Sequence, residues 1–224
     1  MTFQKIRTSP YHAKGSEKND PFRKAAYKKE DQALWNSFKA GEEAAFIHIY
    51  SAYANILYNY GCQFTSDHEI VKDCLQDFFV YLREKRSGLG NTSSIKFYLM
   101  KSFKRRVIHD LEKIKQENRN NENFNYFQFP VELSHEAIYI QNQMEEDQLL
   151  NLEQALKSLE SKEREAIYYF YYEGFSYEQI ADIFDFSHTS SARRLIYKGL
   201  ANIRKIMMSF IVGQMIILYF NSSN

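Results

Sequence analysis

Apolar residues recur every three or four positions along the first half of the chain, which predicts a series of amphipathic helices. Ordered structure is expected to start near Glu30, and a capping box at Ser66–Glu69 predicts the start of the third helix. A loop with two glycines, Ser87–Ser94, separates the third helix from the fourth. The four helices are predicted over residues 30–41, 45–61, 66–86 and 95–115.

The same spacing returns after an Asn-rich stretch, ENRNNENFNYFQFP, which has poor helix propensity and one proline. Further helices are predicted over residues 149–159, 161–174, 176–184 and 187–203. Ser176 and Gln179 form a second capping box, and Asp185 and Phe186 form a turn between the last two helices. Two short helices joined in this way are typical of a helix-turn-helix.

The predicted fold is therefore all-α, with two small helical domains joined by a flexible linker. Few glycines (8) and prolines (3) favour helices, and a hydrophobic content of 44% is enough for a core in each domain. The predicted boundaries are a disordered basic N-terminal arm at 1–29, a first domain at 30–115, the linker at 116–143, a second domain at 144–205 and an apolar tail at 206–224.

Neither cysteine has a partner at a metal-binding or CxxC spacing, so no metal site and no disulfide is expected. Cys62 and Cys74 are predicted to be reduced and buried. The N-terminus lacks the apolar run of a signal peptide, which predicts a cytoplasmic protein. The tail Ile206–Phe220 is apolar but shorter than the roughly 20 residues that span a bilayer. We expect it to extend the last helix and to pack against its own domain or a partner protein, with membrane attachment as the alternative.

A net charge of +1 hides a strong segregation of charge along the chain. Residues 78–114 carry nine basic and three acidic side chains, and residues 187–224 carry five basic side chains and no acidic one. Because contacts to phosphate are made locally, two basic surfaces of this kind point to nucleic acid even in a nearly neutral protein.

The last predicted helix loses every carboxylate after Asp185, as a helix lying against a polyanion would. Arg offers a bidentate fork, and Ser and Thr can donate or accept, which suits base edges and phosphates. The alternative is a helical hairpin with a basic solvated face. We call the predicted solvent face the recognition set: His188, Thr189, Ser190, Arg193, Arg194, Tyr197 and Lys198.

Two further sets lie in the first domain. Five positive charges fall within eleven residues without an acid, interleaved with aromatic residues, and this mixture suits single-stranded DNA; two of the rings, Phe97 and Phe103, also fit a core. These basic residues are Lys96, Lys101, Lys104, Arg105 and Arg106. An acidic ridge opposite Leu75, Phe79 and Leu82 fits a basic partner surface, or an ordinary solvated face. The residues of this ridge are Asp73, Gln76 and Asp77.

Three stretches in this order, LWNSFKAGEEAAFIHIYSAYANILYNYG, VKDCLQDFFVYLREK and IKFYLMKSFKRRVIHDLEK, followed by the helix-turn-helix, resemble the extracytoplasmic-function group of the sigma-70 family. The resemblance covers about residues 31–205. It implies a region 2 at 30–115 that binds core RNA polymerase and opens the −10 element, and a region 4 at 144–205 that reads the −35 element. The predicted first and second domains take these names here.

The resemblance also assigns roles to residues and partners. VKDCLQDFFVYL corresponds to the helix that docks on polymerase, so we call its ridge residues Asp73, Gln76 and Asp77 the polymerase set. The loop Ser87–Ser94 corresponds to base capture, through Asn91, Thr92 and Ser93. We call these three residues and the five basic ones together the −10 set. The implied partners are core polymerase, promoter DNA (duplex at −35, single-stranded at −10) and an anti-sigma factor, which in the family is often membrane-bound. The apolar tail offers a further surface to such a factor. No cofactor, metal or catalytic activity is implied.

Three residues depart from the family pattern. Gln179 replaces the usual Glu but still completes a capping box, and Asp185 replaces the usual turn glycine. Gly199 replaces a small Ala, at a cost of about 1 kcal/mol in helix propensity. None of the three threatens the fold, and together they leave the −35 preference open.

Two other classes of protein are compatible with parts of the sequence. His109-Asp110 is the dipeptide of HD phosphohydrolases, but that chemistry needs further ligands, and upstream only His48 and His68 are candidates. A conventional helix-turn-helix regulator would bind duplex DNA without associating with core polymerase.

Overall fold

The computed structural model describes residues 21–117 and 146–222, with side chains over 27–117 and 150–210. Every regular element in the described ranges is helical, which confirms the all-α prediction. The described residues fall into two compact units, with residues 21–62 and 66–117 in the first and residues 63–65 and 146–222 in the second. The arm at 1–20 and most of the linker at 116–143 lie outside the described residues.

The first unit is a bundle of four helices. They are α1 (Pro21–Ala40), α2 (Glu43–Gly61), α3 (His68–Lys85) and α4 (Ile95–Glu117), with a 3₁₀ turn at Arg86–Gly88 after α3. Helix α2 packs against α1, α3 and α4, so it forms the centre of the bundle. Its buried Ile49 and Leu57 meet a core to which each other helix contributes, including Trp35, Phe38, Val71, Phe78, Leu82, Leu99 and Phe103.

Helix α1 begins at Pro21, nine residues before the predicted start at Glu30. The prediction of a disordered arm is therefore wrong for residues 21–29. Proline is well suited to a first helical position because its missing N–H needs no partner there. Ala25, Ala26 and the lysines that follow have high helix propensity, which the absence of an apolar period concealed.

The turn between α2 and α3 differs from the prediction in two details. Asp67, and not Ser66, caps α3, because its Oδ1 accepts from the amides of Glu69 and Ile70 at 3.0 and 3.3 Å. Asp is as good an N-cap as Ser, so the sequence alone did not separate the two. Cys62 is half-buried and only Cys74 is buried, and neither cysteine forms a disulfide. The predicted burial is thus wrong for Cys62, which lies just past the end of α2.

The second unit contains α5 (Glu146–Ser158), α6 (Ser161–Ile167), α7 (Tyr177–Ile183) and α8 (Thr189–Ser222), with a π-helical turn at Tyr168–Tyr172. Helix α8 packs against α5, α6 and α7. Its partly buried Ile203 packs on Leu156, Leu159 and Ile167. The long last helix therefore organises the whole unit.

Local signals set the boundaries of α7. Both bonds of the predicted capping box are present, with Gln179 N donating to Ser176 Oγ at 3.3 Å and Ser176 N donating to Gln179 Oε1 at 2.9 Å. Asp185 has φ 54°, the left-handed conformation that the glycine usual at this turn would adopt more readily. The turn predicted between the two helices is thus formed without glycine.

The tail predicted to extend the last helix does so. Helix α8 runs without a break from Thr189 to Ser222, although the side chains after Phe210 lie outside the described ones. Among the residues that the structure describes, no helix is long and apolar enough to cross a membrane.

Candidate nucleic-acid and partner interfaces

The recognition set begins with His188, which immediately precedes α8, and its other members lie on the first turns of that helix. Ala192 and Ile196 are buried and fix α8 on the rest of the unit. Because α-helical residues three and four apart share a face, the intervening positions point outward. All members of the recognition set are exposed except Thr189, which is half-buried. The second unit therefore presents the hydroxyl and guanidinium groups together, as predicted.

The two arginines differ in their surroundings. The Arg193 guanidinium lies 5.1 Å from the centroid of the Tyr177 ring, a cation–π geometry. The Arg194 Nη2 is 3.4 Å from the Ser191 hydroxyl on the same helix. The sequence analysis did not place Tyr177 beside the recognition set, because Tyr177 and Arg193 are sixteen positions apart in the chain.

Lys198 is engaged by carboxylates within its own unit. Its Nζ lies 2.8 Å from Glu163 Oε1 and 3.3 Å from Glu160 Oε1, and Asn202 Nδ2 donates to Glu163 Oε2 at 3.1 Å. The hydrogen bonds to Glu163 and Glu160 raise the pKa of Lys198. Lys198 thus joins α8 to α6 in the free protein, a role that its position in the recognition set did not indicate.

The loop between α3 and α4 is anchored at its centre and exposed at its tip. Leu89 is buried, and the Trp35 indole N–H donates to the Gly90 carbonyl at 2.9 Å. Asn91 and Ser93 are exposed, while Thr92 is half-buried and exchanges two hydrogen bonds with the backbone of Ser94, at 2.9 and 3.1 Å. Two of the three predicted base-capture side chains are therefore accessible, and Thr92 mainly shapes the loop.

The five basic residues of the −10 set lie along α4. Arg105 is exposed, while Lys96, Lys101, Lys104 and Arg106 are half-buried. Phe103 lies in the core, which agrees with the alternative interpretation that this aromatic ring is structural. A groove of about 570 Å³ runs between α3 and α4, and its lining includes two tyrosines, two arginines and one carboxylate: Tyr81, Tyr98, Arg105, Arg106 and Asp110. Tyr81 and Tyr98 add ring faces that composition alone did not place beside the charges.

All three residues of the polymerase set are exposed on α3. Asp77 Oδ2 accepts from Arg106 Nη2 at 3.1 Å, so the polymerase set and the −10 set meet at this ion pair. One turn further along α3, Val80 and Tyr81 are 49% and 46% exposed, which places apolar surface beside the acidic ridge. The sequence analysis did not name these two residues, although their spacing of three and four positions from Gln76 and Asp77 puts them on the same side of α3 as the ridge.

Helix α2 continues this partly apolar surface. Tyr50 is half exposed and its ring meets the buried Phe79 of α3 edge-on at 4.8 Å, while Ile47 is 58% exposed. Arg83 joins the two helices by an ion pair to Glu43 at 2.9 Å. Exposed apolar side chains next to a charged ridge are typical of a protein-binding surface.

In the His109-Asp110 dipeptide, which suggested a phosphohydrolase, the aspartate makes contacts within the first unit. Asp110 Oδ2 accepts from the Cys74 thiol at 3.1 Å and lies 3.7 Å from Arg106 Nε, while His109 is exposed. Burial and the bond to Asp110 raise the pKa of Cys74 to about 12, which keeps this thiol protonated. Among the side chains described, no three His, Cys, Asp or Glu residues are grouped so that they could hold a metal ion.

Comparison with known proteins identifies part of the second unit. Residues 149–202 match the family model described as sigma-70, region 4. No curated protein sequence matches the chain. The matched segment spans α5 to α8 as far as Asn202 and includes the whole recognition set.

Two solved structures that superpose on the chain are those of CnrH and of the sigma factor RpoE. CnrH, solved in complex with the cytosolic domain of CnrY, superposes with a TM-score of 0.50 at 16% identity, over 80% of this chain and 97% of that one. The sigma factor RpoE, solved with the anti-sigma factor NepR from Bartonella quintana, gives a TM-score of 0.49 at 19% identity, over 69% and 91%. At such identity the likeness to CnrH concerns the fold.

Proposed function

We propose that the chain acts as an RNA polymerase sigma factor of the extracytoplasmic-function group, because residues 149–202 match the family model described as sigma-70, region 4. It binds core polymerase, directs it to specific promoters and helps to open the −10 region. The family match on the segment that contains the recognition set carries this proposal. The family is not enzymatic, and the proposal gives the chain no catalytic step.

Region 4 reads the −35 element through the recognition set. Arg193 and Arg194 are exposed near the start of α8, the end from which a recognition helix contacts bases. With no acidic residue after Asp185, nothing on this helix repels the phosphates. Lys198 supports the position of α8 in the free protein and meets phosphate only if it leaves Glu163.

The first unit takes the roles of region 2. The exposed Asn91 and Ser93 offer polar groups to an extruded base, and the groove between α3 and α4 offers rings and positive charge to the single strand. The ridge of Asp73, Gln76 and Asp77, with Val80 and Tyr81 beside it, docks on core polymerase. A charged ridge beside apolar side chains supplies both steering and buried contact area.

An anti-sigma factor is the proposed regulator, and the cytoplasm the proposed compartment. CnrH, which superposes on the chain, was solved with a binding partner, the cytosolic domain of CnrY. For this chain, the exposed apolar side chains Ile47, Tyr50 and Val80 support a partner that covers α2 and α3. A membrane-bound anti-sigma factor would hold the chain at the membrane without a span of its own.

Co-purification with core polymerase tests the proposal against a regulator that binds DNA alone. Full-length chain mixed with core polymerase should co-elute in gel filtration at a stoichiometry near one to one. A chain that elutes apart from core polymerase, yet binds duplex DNA in its absence, would be a conventional helix-turn-helix regulator.

A further inference from the structure

Three residues on one face of α1 bind the segment that leads from α3 into α4. Asp31, Trp35 and Lys39 are spaced at i, i+4 and i+8, so they lie in one row along the helix. Asp31 Oδ2 accepts from the Ile95 amide, Trp35 Nε1 donates to the Gly90 carbonyl and Lys39 Nζ donates to Asn91 Oδ1, each at 2.9 Å. We call these three residues the loop-holding row.

The first two bonds fix the backbone on both sides of the loop tip. Asp31 satisfies an amide at the start of α4, where helical N–H groups have no partner within the helix. Its carboxylate gives up water to do so, and this burial raises the pKa of Asp31 against the lowering effect of the bond to Ile95. Trp35 is fully buried and packs on Phe38 and Tyr98 at ring distances of 5.2 and 4.8 Å, which leaves its N–H aimed at Gly90.

The third bond sets the orientation of a side chain. A lysine ammonium only donates hydrogen bonds, so the carbonyl oxygen of the Asn91 amide must face Lys39. The amide NH₂ group therefore points away from Lys39. Asn91 is exposed, and with its oxygen held it offers donors to the acceptor atoms on the edge of a base.

We propose that Asp31, Trp35 and Lys39 are positioning residues for base capture, holding the loop tip rigid and turning the Asn91 amide donors outward. This rests on the proposed function, in which the loop receives a base extruded from the −10 element. A loop fixed before DNA arrives loses less conformational freedom on binding the base, so the row should speed strand opening without touching DNA.

The test uses holoenzyme assembled from core polymerase and the full-length chain, with permanganate reactivity of −10 thymines on duplex promoter DNA as the readout. Trp35→Phe keeps an aromatic ring but removes the N–H donor, and Lys39→Met removes the ammonium. Lys29→Met is the matched control because it makes the same change on the same helix, away from the row. Losing one such hydrogen bond should slow strand opening by about three- to tenfold.

Two further readouts separate positioning from general stability. Co-elution with core polymerase and protection of the −35 element should match those of the unmodified chain, because neither depends on the loop. Lys39→Met should also have no added effect in an Asn91→Ala background, since Lys39 acts through Asn91. Should Trp35→Phe lower the folded fraction, Lys39→Met alone decides.

Unmodified rates of strand opening in Lys39→Met, or an equal loss in Lys29→Met, would overturn the inference while leaving the proposed function in place. So would an undiminished effect of Lys39→Met in the Asn91→Ala background. Failure of the unmodified chain to form a holoenzyme or open any promoter would instead reject the proposed function, and the inference with it.

Discussion

Glu163 has no exposed surface, and its carboxylate lies 2.8 Å from the Lys198 ammonium. Asn202, one turn further along α8, donates to the other oxygen of the same carboxylate at 3.1 Å. The lysine side chain remains 56% exposed, so one end of the pair is solvated while the other is not. This contact joins α6 to α8 and holds the helix that carries the recognition set.

Removing either partner should destabilise the second unit, for different reasons. We expect Glu163→Ala to lower the free energy of unfolding by about 2–4 kcal/mol, because the ion pair with Lys198 and the hydrogen bond from Asn202 are both lost. Lys198→Met should also lower it, because it leaves the buried Glu163 carboxylate without its counter-ion. Urea denaturation of the full chain followed by circular dichroism measures both. A stable Lys198→Met variant that has lost −35 binding would make Lys198 a DNA contact instead.

The two exposed arginines should behave in the opposite way. Arg193→Ala combined with Arg194→Ala should leave the stability of the chain unchanged and weaken −35 binding by about 1–3 kcal/mol if one of them contacts a base. Footprinting of the holoenzyme on promoter DNA measures this. Arg204→Ala with Lys205→Ala is the matched control, since it removes the same charge from the same helix outside the recognition set. Equal losses in both pairs would mean that only total charge matters.

Asp77→Lys and Gln76→Ala together should reduce co-elution with core polymerase while the circular dichroism spectrum remains helical. Both side chains are exposed on α3, and the reversal repels a basic partner surface. Arg106→Met controls for the lost ion pair with Asp77, and Glu112→Lys for a charge reversal on exposed surface elsewhere. Undiminished co-elution would place the polymerase interface on another face.

Gly61 is required by close packing between three helices of the first unit. A Cβ atom there would lie 2.6 Å from Val71 Cγ1 and 3.1 Å from Phe103 Cε1, both in the core. Gly61→Ala should therefore destabilise the chain by about 1–3 kcal/mol. Gly88→Ala meets no atom within 4 Å and should change stability little. Thermal melting of the two variants measures the difference. Equal melting midpoints would show that the core adjusts to the added methyl group without loss of stability.

Much of the fold was predictable from local signals in the sequence. The capping box at Ser176 and Gln179 set the start of α7, and the left-handed Asp185 set the turn before α8, because both effects act within a few residues. The start of α1 was missed where alanines and lysines made a helix without an apolar period. The N-cap of α3 was predicted at Ser66 and lies at Asp67, because Ser and Asp are about equally good N-caps and the sequence does not distinguish them.

The sites were predictable as surfaces but not as contacts. Charge counts found both basic segments, and helical spacing found the exposed ridge on α3. The ion pair between Asp77 and Arg106 and the bond between Lys39 and Asn91 join residues 29 and 52 positions apart. Contacts between residues so far apart in the chain depend on how the helices pack, so no local sequence pattern predicts them.

Run-off transcription with purified components tests the central claim most directly. The templates are upstream regions of genes whose transcripts rise when the chain is overproduced. We predict that core polymerase starts transcripts at one position on these templates only when the full-length chain is added, and that the templates share paired −35 and −10 elements. Transcription that is the same with and without the chain, while the chain alone protects the DNA, would contradict a sigma factor.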